Sequence, residues 1–289
     1  MQAIIWLVAL SFFSMMPGQA LAADLTGTSR TYLQSRETAA GDKLLPIYEY
    51  LDLSVQNLGT EAISLHFGGW LGHDLQDDSF GPNDNNGRSL QYGYVSYRAK
   101  ERNTVVNLGR IMVFDGVAAE RVDGAYARMD LMGGFGVSAF GGVPVLTNLP
   151  EQPGNEVVYG ARLSHQMTDL YTIGFSYLKS EFNTKVFREE QGVDLWLKPV
   201  NKVELFGRSS YNAETTGWME HSYNLLLGPF SNLRLNTEVS QFTYENFFFG
   251  MTNSAFVFQP GGPIDPKENL GILGETASYA FTDNLSASV

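Results

Sequence analysis

The chain has 289 residues, 44% hydrophobic and 13% aromatic, with 30 glycines, no cysteine and a formal net charge of −12. The absence of cysteine excludes disulfides, thiolate metal sites, haem attachment and cysteine nucleophiles, and the acidity disfavours nucleic acid, since phosphate binding needs a basic footprint. Abundant glycine and aromatics at slightly negative mean hydropathy suit strands with one greasy and one wet face better than a large dry core.

Residues 1–22 read as a cleaved secretory signal. Ala3 to Met16 is an apolar run, Pro17-Gly18 breaks it, and Ala20-Leu21-Ala22 supplies a small-residue cleavage box. The run lacks a flanking Lys or Arg, and an ordinary buried helix is the alternative. No Cys follows the box, so no lipoprotein anchor is expected. Beyond it no apolar stretch of about 20 residues occurs. Membrane insertion of residues 23–289 would therefore require a closed β-barrel, because only helices and closed barrels satisfy their backbone in lipid.

Period-2 alternation then recurs along the chain. Ile63, Leu65, Phe67 and Leu71 oppose Ser64, His66, Gly68 and Trp70; Tyr171, Ile173, Phe175 and Tyr177 oppose Thr172, Gly174 and Ser176. Such windows predict strands at 26–36, 46–57, 62–72, 89–99, 104–114, 121–132, 135–145, 156–167, 170–180, 190–198, 202–211, 221–228, 233–244 and 270–281, with a fifteenth starting at Leu285. Short connections fall near Leu58–Glu61, Lys100–Asn103, Gly133–Gly134, Thr168–Asp169, Pro199–Asn201, Pro229–Asn232 and Thr282–Asn284, and longer polar segments alternate with them. That one-sided pattern is the signature of a transmembrane β-barrel with tight periplasmic turns and long external loops. A soluble sandwich has no reason to keep its tight turns at one end. An odd strand number ending at Val289 predicts a truncated all-β antiparallel barrel of about 16 strands, with 18 left open and at least one C-terminal strand missing. A 14-stranded barrel with a frayed tail is the alternative.

With this alternation, the turn asymmetry and segments such as LQYGYVSYR (90–98) and NLGRIMV (107–113), residues 23–289 resemble bacterial outer-membrane porins. The resemblance implies a Gram-negative outer-membrane channel passing small hydrophilic solutes or ions without a cofactor or a catalytic step, in contact with lipid and lipopolysaccharide. It also implies a homotrimer and a third external loop folded into the pore; here that connection, Asp115–Glu120, is short, which puts the device in doubt.

A pore wall predicts inward charges at mid-height. Arg110, Arg128, Arg162 and Arg208 stand at similar distances from the short turns, and an Arg facing lipid at the midplane would cost about 2–4 kcal/mol. Asp52, Asp130, Asp194, Glu204 and Glu238 are the inward acids that balance them; Arg98 and Arg234 lie near the rim. These charges either set a transverse field at a constriction or form cross-strand pairs that fill the wall. The longest external connection, Glu245–Asn269, holds Phe247, Phe248, Phe249, Phe256 and Phe258. It is expected to enter the lumen as a constriction loop, to pack on a neighbouring subunit, or to extend the strands above the membrane. Asp74, Asp77, Asp78 and Asp84 lie in an acidic loop without EF-hand spacing, so no metal site is expected. Two further readings are a barrel sleeve for a periplasmic redox or secretion partner and a barrel enzyme. The second would use His221-Ser222, but adjacent strand residues face opposite sides.

Overall fold

Alternating apolar and polar residues favour extended backbone because successive side chains leave a strand on opposite faces. The computed structural model describes residues 23–38, 41, 43–76, 87–99, 101–145, 156–183, 185–248, 265, 267–282 and 285–289. Within them the pattern yields one antiparallel sheet of 15 strands, hydrogen-bonded in sequence order. The first half runs β1 (Asp24–Leu33), β2 (Pro46–Gln56), β3 (Ile63–Asp74), β4 (Arg88–Ala99), β5 (Thr104–Asp115), β6 (Ala118–Asp130), β7 (Phe135–Pro144) and β8 (Glu156–Met167). The second runs β9 (Tyr171–Phe182), β10 (Lys185–Val200), β11 (Val203–Asn212), β12 (Gly217–Phe230), β13 (Leu233–Thr243), β14 (Asn269–Thr282) and β15 (Leu285–Ser288). Among the described residues β1 pairs only with β2, and β15 only with β14. A two-stranded ribbon, Arg36–Glu37 with Lys43–Leu44, lies in the first outer connection. The signal-like residues 1–22 lie outside the described residues.

The seven tight turns expected from the sequence all join strands at one end of the sheet. Asn57, Asn103, Asp169 and Ser231 adopt φ of 59°, 46°, 61° and 56° there. Asn and Asp tolerate this left-handed region because their short polar side chains bond the local backbone.

The opposite end is tighter than the alternation suggests at three connections. Gly116-Val117 alone separates β5 from β6, Asn183-Thr184 separates β9 from β10, and residues 213–216 separate β11 from β12. The strands extend into segments that look loop-like: β10 begins at Lys185, not 190, β12 at Gly217, not 221, and β6 at Ala118, not 121. For β6 and β10 the reason is charge pairing. Arg188 binds both Glu120 and Glu190, so a polar tract is held in strand geometry.

Directly opposed residues of an antiparallel ladder share a face, so the register assigns sides. One row runs Ser54, His66, Tyr94, Gly109, Gly124, Gly142, Val158, Ser180 and Arg188. The reverse face carries the exposed large apolar residues, among them Leu65, Phe67, Val95, Leu108, Met112, Phe114, Leu163, Phe175, Val193, Val239 and Leu273. Glu120 of β6 and Arg188 of β10 lie on the first face and touch, although three strands separate them. Only the concave side of a curved sheet permits such a contact. The polar face is therefore concave and the apolar face convex, the inverse of a soluble protein. Among the described residues the cluster of buried apolar side chains, Ile111, Val113, Ala118, Val122, Phe140, Val158 and Leu178, sits on the concave side.

Candidate pore-lining face

The register places Asp52, Arg128, Asp130, Arg162, Asp194, Glu204, Arg208 and Glu238 on the concave face. Asp52 stands opposite Gly68, Arg128 opposite Ser138, Asp130 opposite Gly136, and Asp194 opposite both Gly174 and Arg208. Glu204 stands opposite Leu226, and Glu238 between Asn224 and Gly274. Arg110 differs. It shares the convex face with Leu108, Met112 and Phe114, where its Nη2 meets Asp123 Oδ2 at 2.7 Å and its Nη1 donates to the Leu90 carbonyl at 3.1 Å. The sequence expectation assumed that a lipid-facing Arg is too costly; a fork-shaped pairing across the ladder offsets that cost.

Arg128, Arg162 and Arg208 are each paired. Arg162 donates from Nε to Asp194 Oδ1 at 2.9 Å and from Nη2 to Oδ2 at 2.5 Å. Its Nε also lies 3.6 Å from Asp115 Oδ1. Asp115 accepts from Tyr126 at 3.2 Å and from Ser138. This network links β5, β6, β7, β8 and β10. The guanidinium lies across Gly174, where any Cβ would overlap it. Arg208 Nε contacts Glu220 Oε1 at 2.5 Å, Arg128 lies 3.6 Å from Asp130, and Glu204 accepts from Trp196 Nε1 at 2.7 Å.

The sequence did not reveal that the β5–β6 hairpin itself narrows the concave space. Its tip, Gly116-Val117, leans across β7 and β8 to reach β9 and β10. The Val117 amide donates to Ser176 Oγ at 3.0 Å. Gly192 leaves room for the Val117 side chain, and Gly116, with φ of 61°, makes the turn that a Cβ would obstruct against Ser176. Nearer the outer end Arg188 Nη1 meets Glu120 Oε1 at 2.5 Å and Nη2 meets Glu190 Oε2 at 3.0 Å. So a third outer connection too short to act as a loop still projects inward, because whole strand ends do the reaching. Asp115, Glu120, Arg188 and Glu190 were missed. The signal for the last two was present: Arg188, Glu190, Gly192, Asp194 and Trp196 form one period-2 series.

The seventh outer connection begins as a short helix, Tyr244–Phe248. Its Phe247 ring packs 5.5 Å from Phe242, a concave-face residue opposite Glu220, and Asn212 Nδ2 donates to the Asn246 carbonyl at 3.1 Å. The backbone of Phe248 belongs to this helix, while Phe249, Phe256 and Phe258 lie outside the described residues. Of the acidic loop, Asp74 is buried and accepts from the Leu45 and Gln76 amides at 3.1 and 2.9 Å. Asp77, Asp78 and Asp84 lie outside the described residues. His221 and Ser222 face opposite sides: His221 Nδ1 is 2.7 Å from Ser209 Oγ on the convex face, whereas Ser222 bonds Ser240 on the concave one.

No protein-family description matches the sequence, and no curated protein does. Among solved structures the chain's neighbours are bacterial porins. A multiply substituted Rhodobacter blastica porin matches at 11% identity, over 92% of this chain and 92% of that one, with a TM-score of 0.48. Salmonella typhi OmpF, in complex with daunomycin, matches at 11% identity over 92% and 88%, with a TM-score of 0.46. Pseudomonas aeruginosa OccK5 matches at 16% identity over 90% and 76%, with a TM-score of 0.49.

Proposed function

We propose that this protein is an outer-membrane porin, a water-filled channel for passive diffusion of small hydrophilic solutes or ions. The observation that carries the reading is the inverted polarity of the sheet. Leu65, Leu108, Phe175 and Leu273 are exposed on its convex face, whereas charged Arg128, Arg162, Asp194 and Arg208 line its concave one. A convex greasy surface suits hydrocarbon, and a concave charged surface suits water. In a bilayer the edges of β1 and β15 must also be paired, since lipid offers them no hydrogen bonds. The inward β5–β6 hairpin supports a solute channel over a sleeve for a bulky protein, because it occupies part of the concave space. Solute moving down its gradient needs neither cofactor nor catalytic group. Homotrimeric assembly and contact with lipopolysaccharide belong to the same proposal and rest on the resemblance to porins.

Planar-bilayer recording of the detergent-extracted protein, with reversal potential under a salt gradient, tests this. Discrete ion-conducting steps are expected. An inserted barrel without conductance would overturn the open-channel reading.

A further inference from the structure

We infer that the concave face of β1–β4 is a binding track for saccharides, which deepens the porin reading and rests on it. The observation is a run of aromatic rings on that face. Tyr32 meets Tyr50 edge-on at 5.6 Å between centroids, and Trp70 lies 6.1 Å from Tyr48 and 6.5 Å from Tyr50. Lower on the wall, Tyr92 lies 6.0 Å from Tyr94, which stacks on His66 at 4.9 Å. Because β2 and β4 descend from the outer end while β1 and β3 rise to it, the two groups form an oblique path from the outer rim inward.

Glycine makes room for two of these rings against the wall. A Cβ at Gly68 would overlap the Tyr92 ring, and one at Gly72 would lie 2.9 Å from Tyr48. Between the two aromatic groups lies a small, open cleft of about 170 Å³. Tyr50 and Tyr92 flank it, and Thr28, Arg30, Asp52 and Gln91 supply its polar groups.

That combination fits a pyranose. The C–H face of a sugar ring carries partial positive charge and is apolar, matching the negative face of an aromatic ring. Its hydroxyls both donate and accept, and each lost water must be replaced. Arg30 donates, Asp52 accepts, and Gln91 does both. The opposite charges of Arg30 and Asp52, with Tyr92 donating to Asp52, favour a neutral solute over an ionic one. Successive rings along the path suit a linear oligosaccharide that slides from one to the next.

The test is current block in planar bilayers, with the full chain and maltohexaose as probe, against polyethylene glycol of matching hydrodynamic size. Maltohexaose is expected to block at concentrations where the polymer does not. Tyr50→Ala and Trp70→Ala should each weaken the block roughly fivefold to tenfold, whereas Tyr50→Phe, which keeps the π-face, should retain most of it. Equal block by sugar and polymer, or block insensitive to both Ala substitutions, would overturn the track while leaving the channel intact. Absence of conductance overturns the channel reading instead, and titrating tryptophan emission with maltohexaose in detergent then decides the track alone. A saturable change lost in Trp70→Phe supports it, and no change overturns it.

Discussion

The concave face is built in two contrasting ways. On β5–β10 it is filled: the Val117 tip lies on Ser176, Arg162 is held between Asp115 and Asp194, and Ile111, Val122, Phe140, Val158 and Leu178 close the space beneath. On β1–β4 it is open, and aromatic rings lie along the wall beside a cleft. Arginine and carboxylate in a partly dehydrated site lock strands together, because breaking one pair strands the other charge. In the channel we propose, one sector sets the bore and the other offers contact to what passes.

The largest expected effect comes from Arg162→Ala. Its side chain is 17% exposed between two carboxylates, so its removal should destabilise the barrel by roughly 3 kcal/mol. Urea unfolding in detergent, followed by tryptophan emission, measures this, and an unchanged midpoint would deny that the cluster locks the sector. Next is Arg188→Ala, which leaves Glu120 and Glu190 facing each other near the hairpin's outer end. Single-channel conductance should rise as the tip loosens; unaltered conductance would mean that the tip does not set the bore. Ser176→Ala removes one neutral anchor and should cost about 1 kcal/mol, with a smaller rise in conductance. Arg208, whose side chain is 47% exposed, marks the edge of the filled sector. Arg208→Ala should shift the reversal potential toward cations, since lumen charges tune selectivity. The smallest effect is on the convex side. Replacing both Arg110 and Asp123 by Leu should alter stability by about 1 kcal/mol or less and leave selectivity unchanged, and a selectivity change would place Arg110 in the pore after all.

The strands were legible because the wall is built from local alternation. Leu65, Phe67 and Leu71 against Ser64, His66 and Gly68 give both a strand and its two sides. The tight turns were legible for the same reason, with Asn57, Asn103 and Asp169 marking them. Sidedness failed at Arg110 because charge was taken as a proxy for water, whereas Asp123 on the next strand pairs it on the convex face. The β5–β6 hairpin was illegible for a different reason. Asp115, Val117 and Glu120 find their partners on β8, β9 and β10, and no spacing rule within one segment encodes a contact made by curvature. Length was also misleading at Asp115–Glu120, where a short connection argued against an inward projection that the strand ends themselves supply.

The hairpin tip also imposes an order of assembly. Every ladder of the sheet, among the described residues, joins strands adjacent in sequence, so the wall can grow one hairpin at a time at little loop-closure cost. Val117 and Ser176 stand 59 residues apart, and the tip has nothing to hold until β9 and β10 have joined the sheet. Contacts of high sequence separation form late because chain entropy must be spent before they reward it. Seating the tip is therefore the last act of building this sector, and a chain stalled before β9 would present its hairpin tip unanchored, with Glu120 still lacking Arg188.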